Sequence, residues 1–412
     1  MGLVLKIELI CRLYMEFKKI SNNSLKTKLL TLACFFILFI YKSQTRDSLS
    51  QHNLLINNGI EYGSILPTNS YLQNYKDPEY LGYSLNVLKQ TSGKKNWEKL
   101  YNYPQYGIGF SYFDFLKNKE MGNPFSIYGI YRSKIKQWNH LKWYHDINIG
   151  ISFKSIPFNS DAEYYNISVS KKTNMYISLG TGLHYELGRY FDIGVNLKYN
   201  HLSNGGTQMP NKGLNIIAPQ LSLVYYPERI EPLKNETTPL QTKKHNTLEL
   251  SVFGGQKNVH YRGENRNLLK LYDGYDYNIY GTEVFYMRQY SAKSAYGLGV
   301  GITKDEQYNH TMYVQDSALY QKKRFSHDQL LFSIIPTYRL MIDKLYVNVG
   351  LGYYAFKKTR KYDNSALFQR LSLQYQISDQ FFASFGINAY NLHQANYLEW
   401  KIGYTLFRKE RK

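Results

Sequence analysis

Cysteine is nearly absent from this chain. Its 412 residues include two, Cys11 and Cys34. Both lie before residue 47, so the remainder can form neither disulfides nor cysteine-ligated metal centres. Long apolar runs are missing too. No stretch approaches the roughly 18 uncharged apolar residues that a spanning helix needs, and the mean hydropathy is −0.47. Only helices and closed barrels satisfy every backbone polar group in lipid, so a membrane location would require strands. Acidic residues are few, 31 Asp and Glu against 51 Lys and Arg, for a net charge of +20. Tryptophan is rare at 4 residues, yet there are 42 Tyr and 21 Phe. Tyr and Phe favour pleated, half-buried surfaces, and in transmembrane barrels they gather where lipid meets water. A Tyr-rich soluble β-protein would share this composition.

Lys26 and Lys28 precede Leu29–Tyr41, 13 residues without a charge, and Lys42, Ser43 and Gln44 follow at once. A basic segment and a short apolar run of this kind predict a signal peptide and leader over residues 1–46, with Met15 as a second candidate start. The leader holds eight Lys/Arg and two Asp/Glu, which leaves 43 against 29, or +14, for the rest. A basic surface often serves nucleic acid, but no nucleic-acid partner is expected of an exported chain. An exported basic protein meets anionic lipid head groups first.

Beyond the leader, strand follows strand at about ten residues each, separated by polar turns containing Gly or Asn. Eight are expected between Gly59 and Tyr226, and eight more between Thr247 and Phe407. Between the two series, Pro227–His245 is polar, contains three prolines and lacks periodicity, which marks a linker. The two series resemble each other. Tyr106-Gly-Ile-Gly-Phe110 returns as Tyr296-Gly-Leu-Gly-Val300, and Phe125-Ser-Ile-Tyr-Gly-Ile-Tyr-Arg132 returns as Phe332-Ser-Ile-Ile-Pro-Thr-Tyr-Arg339. Asn148-Ile-Gly-Ile151 returns as Asn348-Val-Gly-Leu351, and Gly194–His201 returns as Gly386–His393. Four matches in one order indicate a tandem duplication. The expected fold is all-β, two tandem eight-stranded antiparallel barrels over residues 47–227 and 246–412, with residues 228–245 linking them. A single sixteen-stranded barrel is the competing topology. Eight strands make a barrel whose side chains fill its interior, which disfavours a diffusion pore.

In Phe191–Ser203 the odd positions Phe191, Ile193, Val195, Leu197 and Tyr199 are apolar or aromatic, while Asp192, Asn196, Lys198 and Asn200 alternate with them. Apolar residues on one face and polar residues on the other are the period-two mark of a barrel in lipid. This strand ends in His201-Leu-Ser203-Asn204-Gly205-Gly206, followed by Pro210-Asn211-Lys-Gly213-Leu-Asn215. A nucleophilic hydroxyl needs a base beside it, and residues two apart on a strand share a face. His201 and Ser203 therefore project together from the lipid-facing side. There they could meet only a substrate that is itself in the membrane.

These residues resemble the lipid A 3-O-deacylases of the PagL type, small outer-membrane barrels. Their pattern is His-x-Ser-Asn, a small residue and Gly, then Pro-Asn-x-Gly and an acid. His201, Ser203, Asn204, Gly206, Pro210, Asn211 and Gly213 match it in spacing. The likeness is strongest over Gly194–Tyr226 and extends loosely over residues 50–227. It implies hydrolysis of an ester-linked acyl chain of lipid A in lipopolysaccharide, with Ser203 as nucleophile and His201 as base. It also implies Asn204 and the backbone N–H groups near Gly205 and Gly206 as oxyanion donors. Asn215 stands where the family has the Glu that orients the histidine. An amide oxygen can accept the imidazole N–H but supplies no charge, and losing a triad carboxylate can cost on the order of 10⁴ in turnover.

The second copy has His393-Gln-Ala395-Asn396 in place of His-Leu-Ser-Asn and no Gly-Gly to Pro-Asn loop. It is expected to be a catalytically dead barrel kept for structure or lipid contact. The remaining histidines lack metal-ligand spacing, and the Gly-x-Gly segments suit barrel packing rather than nucleotide binding, so no metal and no cofactor is expected. Arg132, Lys198 and Lys401 should point inward and pair with interior acids. The expected partners are lipopolysaccharide and the outer membrane, with a homodimer left open. Two rival readings are a non-catalytic outer-membrane scaffold or adhesion barrel and an outer-membrane phospholipase.

Overall fold

The computed structural model describes residues 53–74, 78–161, 166–230, 244–323, 327–357 and 365–410. The expected leader lies outside these residues, as does most of the proline-containing linker. The first sheet contains β1 (Leu54–Ile65), β2 (Glu79–Gln90), β3 (Gln105–Asp114), β4 (Gly122–Trp138), β5 (Leu141–Ser155), β6 (Asn174–Leu187), β7 (Phe191–Ser203) and β8 (Leu214–Tyr225). The second contains β9 (His245–His260), β10 (Gly274–Gln289), β11 (Ser294–Asp305), β14 (Leu330–Ile342), β15 (Leu345–Phe356), β16 (Leu367–Gln376), β17 (Phe381–Tyr390) and β18 (Gln394–Glu410). Each series closes on itself, β1 against β8 and β9 against β18, giving two eight-stranded antiparallel barrels rather than one of sixteen strands. Among the described residues no helix is long and apolar enough to cross a membrane.

The four repeated segments fall on equivalent strands. They occupy the third, fourth, fifth and seventh positions of each barrel, namely β3 and β11, β4 and β14, β5 and β15, β7 and β17. One element went unforeseen. β12 (His310–Gln315) and β13 (Ala318–Lys323) form a separate hairpin in the connection between β11 and β14. Neither strand alternates apolar and polar residues in sequence, and the hairpin joins neither closed sheet.

Alternation sorts the side chains of both walls. Along β7, Ile193, Val195 and Leu197 are 39, 63 and 49% exposed, whereas Asp192 and Asn200 are fully buried. In β18, Trp400 and Ile402 face out while Glu399 and Lys401 face in. Apolar side chains outside and polar ones inside reverse the arrangement of a soluble domain. They suit a barrel wetted by lipid.

Both interiors are filled. In the first barrel Arg132 binds Asp146 through Nε–Oδ1 at 2.7 Å, and Lys198 Nζ reaches the other carboxylate oxygen at 3.0 Å. Glu61 accepts hydrogen bonds from Tyr80, Asn200 and Gln220. The second barrel holds Arg370 and Lys401 on Glu283, and Arg339 forked onto Glu249 at 2.6 and 2.8 Å. Buried charges are tolerable only when paired in this way. The three inward cations anticipated from the strand pattern are thus matched by acids.

The barrels touch near both rims. At the rim where β8 ends and β9 begins, the Tyr101 hydroxyl donates to the Met341 carbonyl at 2.8 Å, and Lys293 lies over the Tyr101 ring at 4.9 Å. At the opposite rim Phe158 meets Tyr272 edge to face, with centroids 5.5 Å apart.

Candidate active site

The site sits at that opposite rim, where β7 leaves the wall. Register sets the first contact. His201 and Asn215 are cross-strand partners in the β7–β8 ladder, and side chains directly opposite each other in this way lie within reach. The His201 Nδ1 lies 2.6 Å from Asn215 Oδ1. Asn215 Oδ1 also accepts from the Tyr199 hydroxyl at 2.7 Å, and its Nδ2 donates to Thr68 Oγ1 at 2.9 Å. The carboxamide is therefore oriented on both ends, with its oxygen toward the ring. Nδ1 carries the proton in this arrangement, which leaves Nε2 as an acceptor.

Ser203 follows two residues later on the same outward face. Its Oγ accepts hydrogen bonds from Asn211 Nδ2 at 2.9 Å and from the Gly205 N–H at 3.2 Å. Both contacts use oxygen lone pairs, so the hydroxyl proton is left to donate. No hydrogen bond joins His201 to Ser203 in this structure. The nucleophile candidate and the base candidate share a face but not a proton.

The Asn204 side chain hydrogen-bonds within its own turn rather than to Ser203 Oγ. It is buried, its Oδ1 accepts from the Gly206 N–H at 3.0 Å and its Nδ2 donates to the Gln208 carbonyl at 2.8 Å. Its own N–H donates to Asn211 Oδ1 at 3.0 Å. The side chain thus ties the turn together, and the donors standing at Ser203 Oγ are Gly205 and Asn211. Asn211 was visible as part of the motif, but nothing in its spacing assigned it to the serine. Gly206, the other expected backbone donor, gives its N–H to Asn204.

Glycine is required at one further point. Gly213 has φ +77°, and a Cβ there would stand 2.7 Å from His201 Cε1. The chain runs flat against the imidazole and helps to hold it toward Asn215. The β5–β6 connection supports this stretch from behind. Gly213 N–H donates to Ser168 O at 2.9 Å, Lys212 N–H donates to Ile167 O at 3.2 Å, and Ser170 Oγ donates to Pro210 O.

The corresponding place in the second barrel is not assembled. His393 lies in the tight turn after β17, exposed, with Nδ1 2.6 Å from the Asn391 carbonyl. Ala395 offers no hydroxyl. Among the described residues no group of three or more His, Cys, Asp or Glu is arranged to hold a metal ion.

The first barrel matches the family model "Lipid A 3-O-deacylase (PagL)" over residues 81–223, and the second matches "Acyloxyacyl hydrolase, C-terminal domain" over residues 246–409. The chain belongs to the PagL family of outer-membrane barrels. The PagL-family match includes the strand ends that carry His201, Ser203 and Asn215. Among solved structures, the chain is similar to the outer membrane enzyme PagL, at 15% identity over 40% of this chain and 97% of that one, with a TM-score of 0.28. It is also similar to the siderophore receptor PirA from Acinetobacter baumannii, at 10% identity over 82% of this chain and 68% of that one, with a TM-score of 0.23. The translocator domain of the autotransporter NalP from Neisseria meningitidis matches at 9% identity over 91% of this chain and 96% of that one, with a TM-score of 0.19. No curated protein sequence matches the chain.

Proposed function

We propose that this protein is a serine esterase that removes an ester-linked acyl chain from lipid A at the outer-leaflet end of its first barrel. The observation that carries the reading is the His201–Asn215 hydrogen bond beside Ser203 on the outward wall. A base whose tautomer is set, next to a hydroxyl with a free proton, is the minimum for activating an alcohol nucleophile. The lipid-facing position limits substrates to those embedded in the membrane.

In the proposed reaction Ser203 turns about its Cα–Cβ bond toward His201, and the hydroxyl proton passes to Nε2. Oγ then attacks the acyl carbonyl carbon. The oxyanion takes over the donors that hold Oγ at rest, Asn211 Nδ2 and the Gly205 N–H. Such donors contribute about 10²–10³ each when aimed at developing charge. The sugar alkoxide leaves with the proton from His201, and the acyl group stays on Ser203. Water, deprotonated by the same histidine, releases it as a fatty acid. Asn215 orients the imidazole but cannot neutralise the imidazolium that forms, so turnover should be slow for a serine esterase.

Residues 1–46 serve as the export leader, residues 47–227 as the catalytic unit and residues 246–412 as a second, non-catalytic barrel. Support for the last role is the absence of a hydroxyl at position 395 and the exposed turn that holds His393.

The test is to express the full chain in a Gram-negative host and weigh its lipid A by mass spectrometry beside a Ser203→Ala control. Loss of one acyl chain with the wild type only is expected. Identical acylation in both would leave a non-catalytic barrel, and loss from glycerophospholipid instead would make it a phospholipase.

A further inference from the structure

The loop that follows Ser203 is bound by the second barrel as well as by its own. Asn258, near the end of β9, faces outward from that barrel. Its N–H donates to the Gly206 carbonyl at 3.0 Å, and its Oδ1 accepts from the Met209 N–H at 3.2 Å. The two bonds clasp residues 206–209 as a neighbouring strand would. The Asn258 side chain is itself fixed, because Nδ2 donates to Asp276 Oδ1 at 2.7 Å across the β9–β10 ladder. Beside it Leu398 of β18 fills the space over Gly205, where an added Cβ would stand 2.5 Å from Leu398 Cγ. The carbonyls of Ala395 and Asn396 stand 3.1 Å from the corresponding point on Gly206. Gly205 and Gly206 have φ of +67° and +85°. A turn of this kind has several conformations open to it unless its surroundings select one.

We infer that the second barrel works as a clamp on the oxyanion turn of the first, with Asn258 as its positioning residue. Through Gly206 and Met209 it fixes the peptide that presents the Gly205 N–H to Ser203. This rests on the deacylase reading for its catalytic consequence, though not for the clamp itself. Duplication thereby has a mechanical outcome. The copy without a nucleophile supplies the wall against which the active copy's loop is held.

The full chain, refolded in lipopolysaccharide-containing vesicles, is compared with Asn258→Ala and with the exchanged pair Asn258→Asp/Asp276→Asn. The pair keeps an acceptor for Met209 and a donor between positions 258 and 276. In Asn258→Ala the Met209 amide should exchange at least about fivefold faster, the effect of one lost hydrogen bond. The kcat for acyl release should fall about tenfold with KM unchanged, and the exchanged pair should restore both. Leu398→Ala should give the same kcat loss more weakly. Folding of both barrels is followed by heat-modifiable migration on gels. An unchanged Met209 exchange rate in folded Asn258→Ala overturns the clamp, and so does a rise in KM at constant kcat. If the wild type releases no acyl chain, the deacylase reading falls, and amide exchange alone decides the clamp.

Discussion

The imidazole of His201 and the carboxamide of Asn215 meet across the β7–β8 ladder at 2.6 Å, with Tyr199 and Thr68 locking the amide in place. A neutral group here does the orienting half of a carboxylate's work. The electrostatic half is missing. Asn215→Glu should therefore raise kcat by one to two orders of magnitude, because a negative charge would stabilise the imidazolium formed in each step. Asn215→Ala should lower it at least about tenfold. Single-turnover release of fatty acid from lipid A measures both, and a slower Asn215→Glu enzyme would refute the argument.

Asn211 holds Ser203 Oγ at 2.9 Å. If that amide passes to the oxyanion during attack, Asn211→Ala should cost about 10²–10³ in kcat while KM stays within a factor of two to three. Steady-state kinetics in mixed micelles separates the two constants.

Gly213→Ala places a methyl 2.7 Å from His201 Cε1 at φ +77°. Backbone strain in this region costs about 1–3 kcal/mol, which the barrel can absorb, but the imidazole must shift away from Asn215. Acyl release should drop by at least about 10² with heat-modifiable migration intact. Retained activity would show that the ring tolerates displacement.

Leu197 is the middle residue of β7 and faces outward. An arginine at the lipid-facing midplane costs about 2–4 kcal/mol. Leu197→Arg should lower the unfolding free energy of the first barrel in vesicles by that amount, measured by urea titration. Leu197→Ile, which keeps an apolar side chain on the same face, should change it little. An indifferent Leu197→Arg would mean that this face is not in lipid.

Asp146 pairs with both Arg132 and Lys198 inside the first barrel. Asp146→Ala leaves two buried cations without their acid, a loss of about 3–5 kcal/mol. The same titration should show it, and the second barrel's transition should be unaffected if the barrels unfold separately.

Much of this architecture was legible from residue order because strands carry a period of two. The parity that puts Val195 and Leu197 outside also puts His201 and Ser203 there, and turn residues every ten or so positions count the strands. The β12–β13 hairpin escaped because Met312-Tyr313-Val314 and Ala318-Leu319-Tyr320 are unbroken runs, with no period-two alternation to mark a strand. In the second copy the match of His393 to His201 was a sequence likeness only, since the missing loop leaves that histidine in a turn.

By itself the sequence determined two runs of eight strands, the lipid-facing side of each, and the placing of His201 and Ser203 on one face. These follow from local periodicity, which needs no knowledge of distant residues. Only the tertiary structure decided that Asn211 rather than Asn204 attends the serine, that Thr68 steadies Asn215 from 147 positions away, and that Asn258 of the other barrel grips the turn. Such contacts arise when aperiodic loops fold back and when two closed barrels come side by side, and no spacing along the chain encodes either.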